Sequence, residues 1–270
     1  MKKCHPSHHT DSLFIFAKNL FMPIEHILLI FVVGILTGFI NTLSGSGSLI
    51  SLPILMFIGL PPHLANGTNR VGILFQNLVG TANYHRQKVL EVPMGIKVAI
   101  PAILGSIAGA FVVLEMSERA VEIAVAVVLL LMLIPLWFKP KQWLEGKDMD
   151  GRKHNIVLRW VIFFIVGMYG GFIQAGVGIF LLAALVLNAG YDLVKANALK
   201  VFINLIFTPF ALLVFILQGQ VDWGIGLTLA FGNAIGAYFA SRWSVAWGPA
   251  FVRYVLVVVI IGSGVKLLFF

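Results

Sequence analysis

The chain has 270 residues, 59% of them hydrophobic and only 11% charged, where a soluble globular chain carries about 25% charged residues. A core of this size cannot hide so much apolar surface from water, so lipid must be the missing solvent. The formal net charge of +8 does not point to nucleic acid as a partner. The basic residues sit mostly in short connections between apolar runs, as the positive-inside bias expects of a membrane protein.

Residues 1–23 read as an N-terminal tail. Its apolar stretch, Leu13 to Ala17, is too short for the core of a cleavable signal peptide and is followed by Lys18 and Asn19. Cys4, the single cysteine, excludes an internal disulfide. With His5, His8 and His9 it lacks zinc-type spacing, and beside Lys2 and Lys3 the group reads as a solvated basic end, so no metal is expected there.

Apolar segments then run over 24–40, 48–60, 67–84, 92–114 and 120–138. A polar linker, 139–156, interrupts them, and five more follow at 157–173, 177–190, 196–217, 223–241 and 250–270. Several reach the ~20 residues a helix needs to cross the hydrocarbon core. In lipid every backbone group of an open chain must be satisfied within its segment, so the fold class is all-α, a polytopic helical membrane protein.

The two sets are copies. Gly38-Phe39-Ile40 matches Gly171-Phe172-Ile173, Gly45 matches Gly178, and Gly59 matches Gly190. Ala65-Asn66 matches Ala196-Asn197, Glu91 answers Asp222 and Gly105 answers Gly236. The offset stays between 131 and 133 residues, which marks an internal duplication, a common construction among transporters. The first transmembrane repeat is 24–138 and the second 157–270.

Charge placement suggests an orientation. Putting Lys2, Lys3 and Lys18, then Arg86 and Lys88, then Lys139, Lys141, Lys147, Arg152 and Lys153 on one side requires 24–60 to make one net crossing. That expectation gives a helix followed by a re-entrant or broken half-helix, about eight net crossings, cytoplasmic termini and parallel repeats. Full crossings by the short segments would instead give five per repeat and inverted copies. The charge argument favours the parallel arrangement.

Two features carry chemistry. The run Asn41-Thr42-Leu43-Ser44-Gly45-Ser46-Gly47-Ser48 breaks an apolar stretch at membrane depth, and its counterpart is Gln174-Ala175-Gly176-Val177-Gly178. Glycines let the backbone unwind, and the freed amides of a following helix can receive an anion, with serine hydroxyls as further donors. A water-exposed loop or a close-packing site is the plainer alternative. The second feature is a polar stripe. At 100° per residue Asn66, Asn69, Arg70, Gln76, Asn77 and Asn83 share one side of the third segment. In the second copy Asn197, Lys200, Asn204 and Thr208 recur at i, i+3, i+7 and i+11. Facing lipid would be costly, so both stripes should face a protein interior or an aqueous path. Interhelical hydrogen bonding without transport fits the same pattern, and Arg70 and Lys200 could instead snorkel.

His63 and His85 flank the third segment, where a coupling proton could bind, although a helix-end histidine is more commonly interfacial. Gly34 and Gly38, Gly105 and Gly109, and Gly232 and Gly236 have the small-xxx-small spacing of close helix packing. No acidic residue lies deep in an apolar segment and there is no nucleotide-binding loop, so an enzyme or an ATP-driven pump is not expected, and no cofactor.

Together these features resemble the sulfite exporter TauE/SafE family, in the 4-toluene sulfonate uptake permease-like superfamily. The resemblance rests on Gly38-Phe39-Ile40-Asn41 through Gly47, Pro53, Asn66-Gly67-Thr68-Asn69-Arg70-Val71, Gln76-Asn77 and Tyr84-His85-Arg86. In the second copy it rests on Gly170 to Gly178, Gln220-Val221-Asp222-Trp223 and Gly232 to Gly236. It implies an exporter of sulfite or small organosulfur anions in the cell inner membrane, coupled to an ion gradient that could be of protons. The family's broken-helix glycines correspond to Gly45, Gly47, Gly176 and Gly178. The expected function is a secondary transporter of a small anion; an anion channel and a non-transporting membrane scaffold are the alternatives.

Overall fold

The computed structural model describes residues 24–131, 156–188 and 191–269. The N-terminal tail, most of the 139–156 linker and Gly190 fall outside them. The described residues are helical: α1 (Ile24–Ser44), α2 (Ser48–Phe57), α3 (Pro62–Arg86), α4 (Val92–Glu115), α5 (Glu118–Leu131), α6 (Ile156–Phe172), α7 (Val177–Ala183), α8 (Leu193–Leu217) and α9 (Trp223–Phe269). Both breaks fall where the glycine runs stand, between Ser44 and Ser48 and between Phe172 and Val177. A π-turn, Ala184–Asn188, continues α7, and α9 kinks at Gly248.

Helix directions follow from which residues touch. Glycine pairs draw α1 onto α9, Gly34 against Gly232 and Gly38 against Asn233, and α4 onto α6, Gly105 against Phe164 and Gly109 against Met168. In each pair the numbers rise together, so the helices are parallel and their backbones touch where no Cβ intervenes. Thr68 receives the amide of Asp222, and Tyr84 shares a hydrogen bond with Ser244, so α3 and α9 are parallel too. Against α8 the order reverses. Gly67 lies on Phe215, Gly80 on Val201, and Asn197 donates to Tyr84.

Helices α3 and α8 are counterparts in the duplication, and they run antiparallel. The repeats are therefore inverted, which corrects the expectation of parallel copies. The physical reason lies in α2. It does not complete a crossing begun by α1; it folds back along it. Ile30, Leu52, Leu55 and Leu60 share one apolar cluster with Ala65 and Val113, whereas Leu43, near the tip of α1, sits in another with Val98, Phe163 and Leu181. The α6–α7 hairpin does the same from the opposite face. Phe163, Leu181 and Leu182 lie in that second cluster, and its tip residues Ile173 and Ile179 reach the first. Two re-entrant hairpins thus enter from opposite faces and overlap at the middle, the construction that places binding sites at the midplane of inverted-repeat transporters.

Large apolar side chains cover the outside: Leu28, Val32 and Leu36 on α1, Leu104 and Phe111 on α4, Phe164 and Ile165 on α6, Phe231 and Phe239 on α9, all exposed. Among the described residues three helices, α1, α4 and α8, are long and apolar enough to cross a bilayer. Helix α3, with 25 residues, is as long but carries the polar stripe, and it lies between α8 and α9.

The face where α3 ends carries Arg86, Lys88, Arg159, Lys195 and Arg242 with the acids Glu91 and Asp192, and the face where it begins carries Glu25, Glu115, Glu118, Glu122 and Asp222 around one arginine, Arg119. By the positive-inside rule the basic face is cytoplasmic. The start of α1 then lies on the outer face, opposite Arg86 and Lys88, while Lys2, Lys3, Lys18 and the basic residues of 139–153 fall outside the described residues. With Cys4 replaced by serine, His85→Cys is expected to react with an impermeant maleimide only in inside-out vesicles, and Ser117→Cys from outside intact cells.

Candidate functional site

The two hairpin tips meet at glycine. A Cβ on Gly45 would stand 2.2 Å from the Cα of Gly178, and a Cβ on Gly178 would stand 2.2 Å from the Cα of Gly45. These residues are counterparts, so the pseudo-two-fold axis passes between them. Gly45 also has φ +76°, as Gly176 has φ +73°, backbone that a side chain disfavours by about 1–2 kcal/mol. Gly47 presses on the carbonyl of Thr37 and on Asn41 at the start of the returning helix. The hydroxyls of Ser44 and Ser46 bond each other inside the turn, fully buried, rather than standing open.

A helix that stops inside the bilayer leaves its last four carbonyls unpaired. For α6 all four have donors, most of them supplied by α3 of the other repeat. Arg70 donates through Nη1 to Gly170 O at 3.0 Å and through Nη2 to Gly171 O at 2.6 Å. Asn66 Nδ2 donates to Phe172 O at 2.7 Å, and the amide of Ile173 takes Tyr169 O at 3.1 Å. Arg70 also holds Asn66 Oδ1 and Gln174 Oε1, and its guanidinium stands 4.6 Å over the ring of Phe215. Gln174 then donates to Thr208 at 2.9 Å. Its φ of +64° is unusual for a residue with a side chain, and these two bonds hold it there.

The other repeat does this in part. Lys200 Nζ, on α8, donates to Asn41 O at 3.1 Å and Thr42 O at 2.8 Å at the end of α1. Among the described residues no carboxylate pairs with either cation. Each sits at a helix C-terminus, whose partial negative charge favours a cation. Arg70 and Lys200 are both fully buried and do not snorkel.

The rest of the polar stripes is buried as expected: Asn66, Asn69, Gln76, Asn77, Asn83, Asn197, Asn204 and Thr208. Ser51 donates to Asn69 at 2.7 Å, Gln76 to Asn77 at 3.4 Å, and Asn197 to Tyr84 at 2.9 Å. Several of their atoms, all buried, have no partner: Asn69 Nδ2, Gln76 Oε1, Asn77 Nδ2, Asn197 Oδ1 and Asn204 Oδ1, with Thr42 Oγ1 beside them on α1. Unpaired buried polar atoms are rare in native proteins and mark sites where water, an ion or a ligand binds. The candidates therefore divide. Asn66, Arg70 and Lys200 donate to the broken helix ends, with Asn41 supplying a carbonyl and Gln174 and Thr208 extending the network, although Arg70 Nε is buried without a partner, and Gly45 and Gly178 make the tip contact. Asn69, Gln76, Asn77, Asn197 and Asn204 keep free hydrogen-bonding capacity. His63 is tied to Met116 O at the outer face, and His85 is exposed at the other end of α3.

Three partners escape a reading of the sequence: Ser51, Tyr84 as the acceptor of Asn197, and Asn233, which takes the hydroxyl of Thr37 at 2.8 Å. Asn233 is the one amide in the first turns of α9 and lies between Gly232 and Gly236, a signal that packing glycines alone do not explain.

A family model described as sulfite exporter TauE/SafE matches residues 30–267. A probable membrane transporter protein of Sinorhizobium, ORF9, is 29% identical over 243 residues, covering 88% of this chain and 91% of its own. The probable membrane transporter protein YfcA of Escherichia coli K12 is 30% identical over 254 residues, 93% of each chain. YunE of Bacillus subtilis, described in the same words, is 23% identical over 259 residues, covering 86% of this chain and 95% of its own. No solved structure matches.

The tip contact predicts a sharp contrast between two glycine variants. Gly178→Ala should abolish a monodisperse peak in detergent size-exclusion chromatography. Gly219→Ala has φ +68° but nothing within 4 Å of its added Cβ, and should lose only about 1–2 kcal/mol and keep its peak.

Proposed function

The chain belongs to the sulfite exporter TauE/SafE family of membrane transporters, and from that premise we propose that it is a secondary carrier for a small anion. The anion is sulfite or an organosulfonate, exported across the cell inner membrane and coupled to an ion gradient. One observation supports this reading above the others. The polar stripes of two inverted helices, α3 and α8, carry unpaired buried amide groups along their facing lengths, from Asn69 to Asn197, past the two hairpin tips.

Asn69 Nδ2, Asn77 Nδ2 and Thr42 Oγ1 offer donors to an oxyanion. Gln76, Asn197 and Asn204 offer amides that present either their oxygen or their NH2 as the ligand requires. Neutral donors suit an anion that must also leave, because a fully paired buried charge releases its partner slowly. Arg70 and Lys200 supply a positive background from the helix ends rather than direct ligands. The Gly45–Gly178 contact closes the centre in this conformation, which favours a carrier over an open channel.

Counterflow tests this. Purified protein in liposomes loaded with unlabelled sulfite should accumulate radiolabelled sulfite transiently from outside. Asn69→Ala and Asn77→Ala should each slow the exchange about tenfold, the size of one lost hydrogen bond of about 1.4 kcal/mol. Sulfite conductance without counterflow would contradict the carrier, and the absence of any exchange with sulfite or organosulfonates would contradict the substrate class.

A further inference from the structure

The two helix-end cations are symmetric in place and unlike in chemistry. Arg70 commits four N–H groups to four acceptors and lies over Phe215. A guanidinium does not give up its proton in proteins. Lys200 has three N–H groups and two acceptors, both main-chain carbonyls of the α1 end. Its amine can exist with or without a proton, and no carboxylate among the described residues fixes its charge.

Helix α1 presents only the Asn41 and Thr42 carbonyls to Lys200. Helix α3 brings Tyr84, which accepts from Asn197 one turn earlier on α8, and Arg70, which is engaged with α6. The other ionisable side chains nearest its end of the bundle, Glu91, Lys97, Arg159, Asp192, Lys195, Tyr238 and Arg242, stand at or near the surface, and α7 has none. Nothing titratable in direct contact shares its proton.

We propose that Lys200 binds the coupling proton of the carrier. The proposal rests on the carrier reading and adds the site of coupling to it. With the proton bound, Nζ is an ammonium that holds the Asn41 and Thr42 carbonyls by charge and hydrogen bonds, and the α1–α2 tip is latched. When the proton leaves to water, the neutral amine loses the attraction to the helix end, and the tip is freed to move. The α6–α7 tip, under Arg70, stays latched in both states. A proton gradient thereby acts on one hairpin of the two, by shifting the balance between its latched and freed positions.

Lys200→Arg keeps a cation at the α1 end and removes the titration. In proteoliposomes the readout is sulfite flux with and without an imposed pH gradient, each divided by the same protein's counterflow rate. Wild type should respond several-fold, and Lys200→Arg should give a ratio of one. An equal response in both proteins would overturn the proposal. A second readout needs no substrate: melting temperature of the purified protein against pH. A titration step present in wild type and absent from Lys200→Arg supports the proposal, and superimposable profiles overturn it. If sulfite shows no counterflow in wild type, the substrate reading fails while the melting profile still judges Lys200.

Discussion

A helix that ends inside a bilayer must find donors for its last carbonyls, because hydrocarbon offers none and each unpaired group costs several kcal/mol. The rest of this structure depends on how that demand is met. Each repeat contains one helix that stops at depth, and each receives side-chain donors from the opposite repeat: α6 from Arg70 and Asn66, and α1 from Lys200. Neither repeat can satisfy its own broken helix in this way. The duplication therefore folds as an interlocked pair, with α1 on α9 and α6 on α4 reinforcing the exchange through backbone contact at glycines.

The same arrangement explains why such polar residues are tolerated in so apolar a chain. Removing a buried cation from its partners costs about 3–5 kcal/mol in other proteins, so Arg70 and Lys200 are fixed by structure before any substrate is considered. Departures from symmetry fall around them. Helix α1 continues to Ser44, five residues beyond the point matching the end of α6 at Phe172, and Lys200 accordingly meets Asn41 and Thr42 whereas Arg70 meets Gly170 and Gly171. Tyr84 carries a hydroxyl bound to Asn197 and Ser244, where its counterpart Phe215 carries none and meets the guanidinium instead. The two broken helices are thus met by different chemistry.

Much of this was legible in the sequence. The apolar segments, the duplication, the glycine breaks and the burial of both polar stripes follow from periodicity and from the cost of polar groups in lipid. Packing at Gly34, Gly38, Gly105, Gly109, Gly232 and Gly236 follows from spacing. The return of α2 did not, because a 10-residue helix is too short to cross and nothing local states whether it goes on or turns back. A crossing by 24–60 follows only when Lys2, Lys3 and Lys18 count equally with Arg86 and Lys88. The partners of Arg70 and Lys200 were hidden for a different reason. They are main-chain carbonyls 100 to 159 residues away, and a carbonyl leaves no mark in a sequence.

The interlock of inverted copies is tested most directly by a disulfide between α3 and α8. Gly80 faces Val201, so Gly80→Cys with Val201→Cys, in a chain whose Cys4 is replaced and whose 139–155 linker carries a protease site, should cross-link on mild oxidation. The two halves should then stay joined on a non-reducing gel after cleavage. Parallel copies would place Gly80 beside Ala211 instead, so a cross-link with Ala211→Cys and none with Val201→Cys would contradict the account.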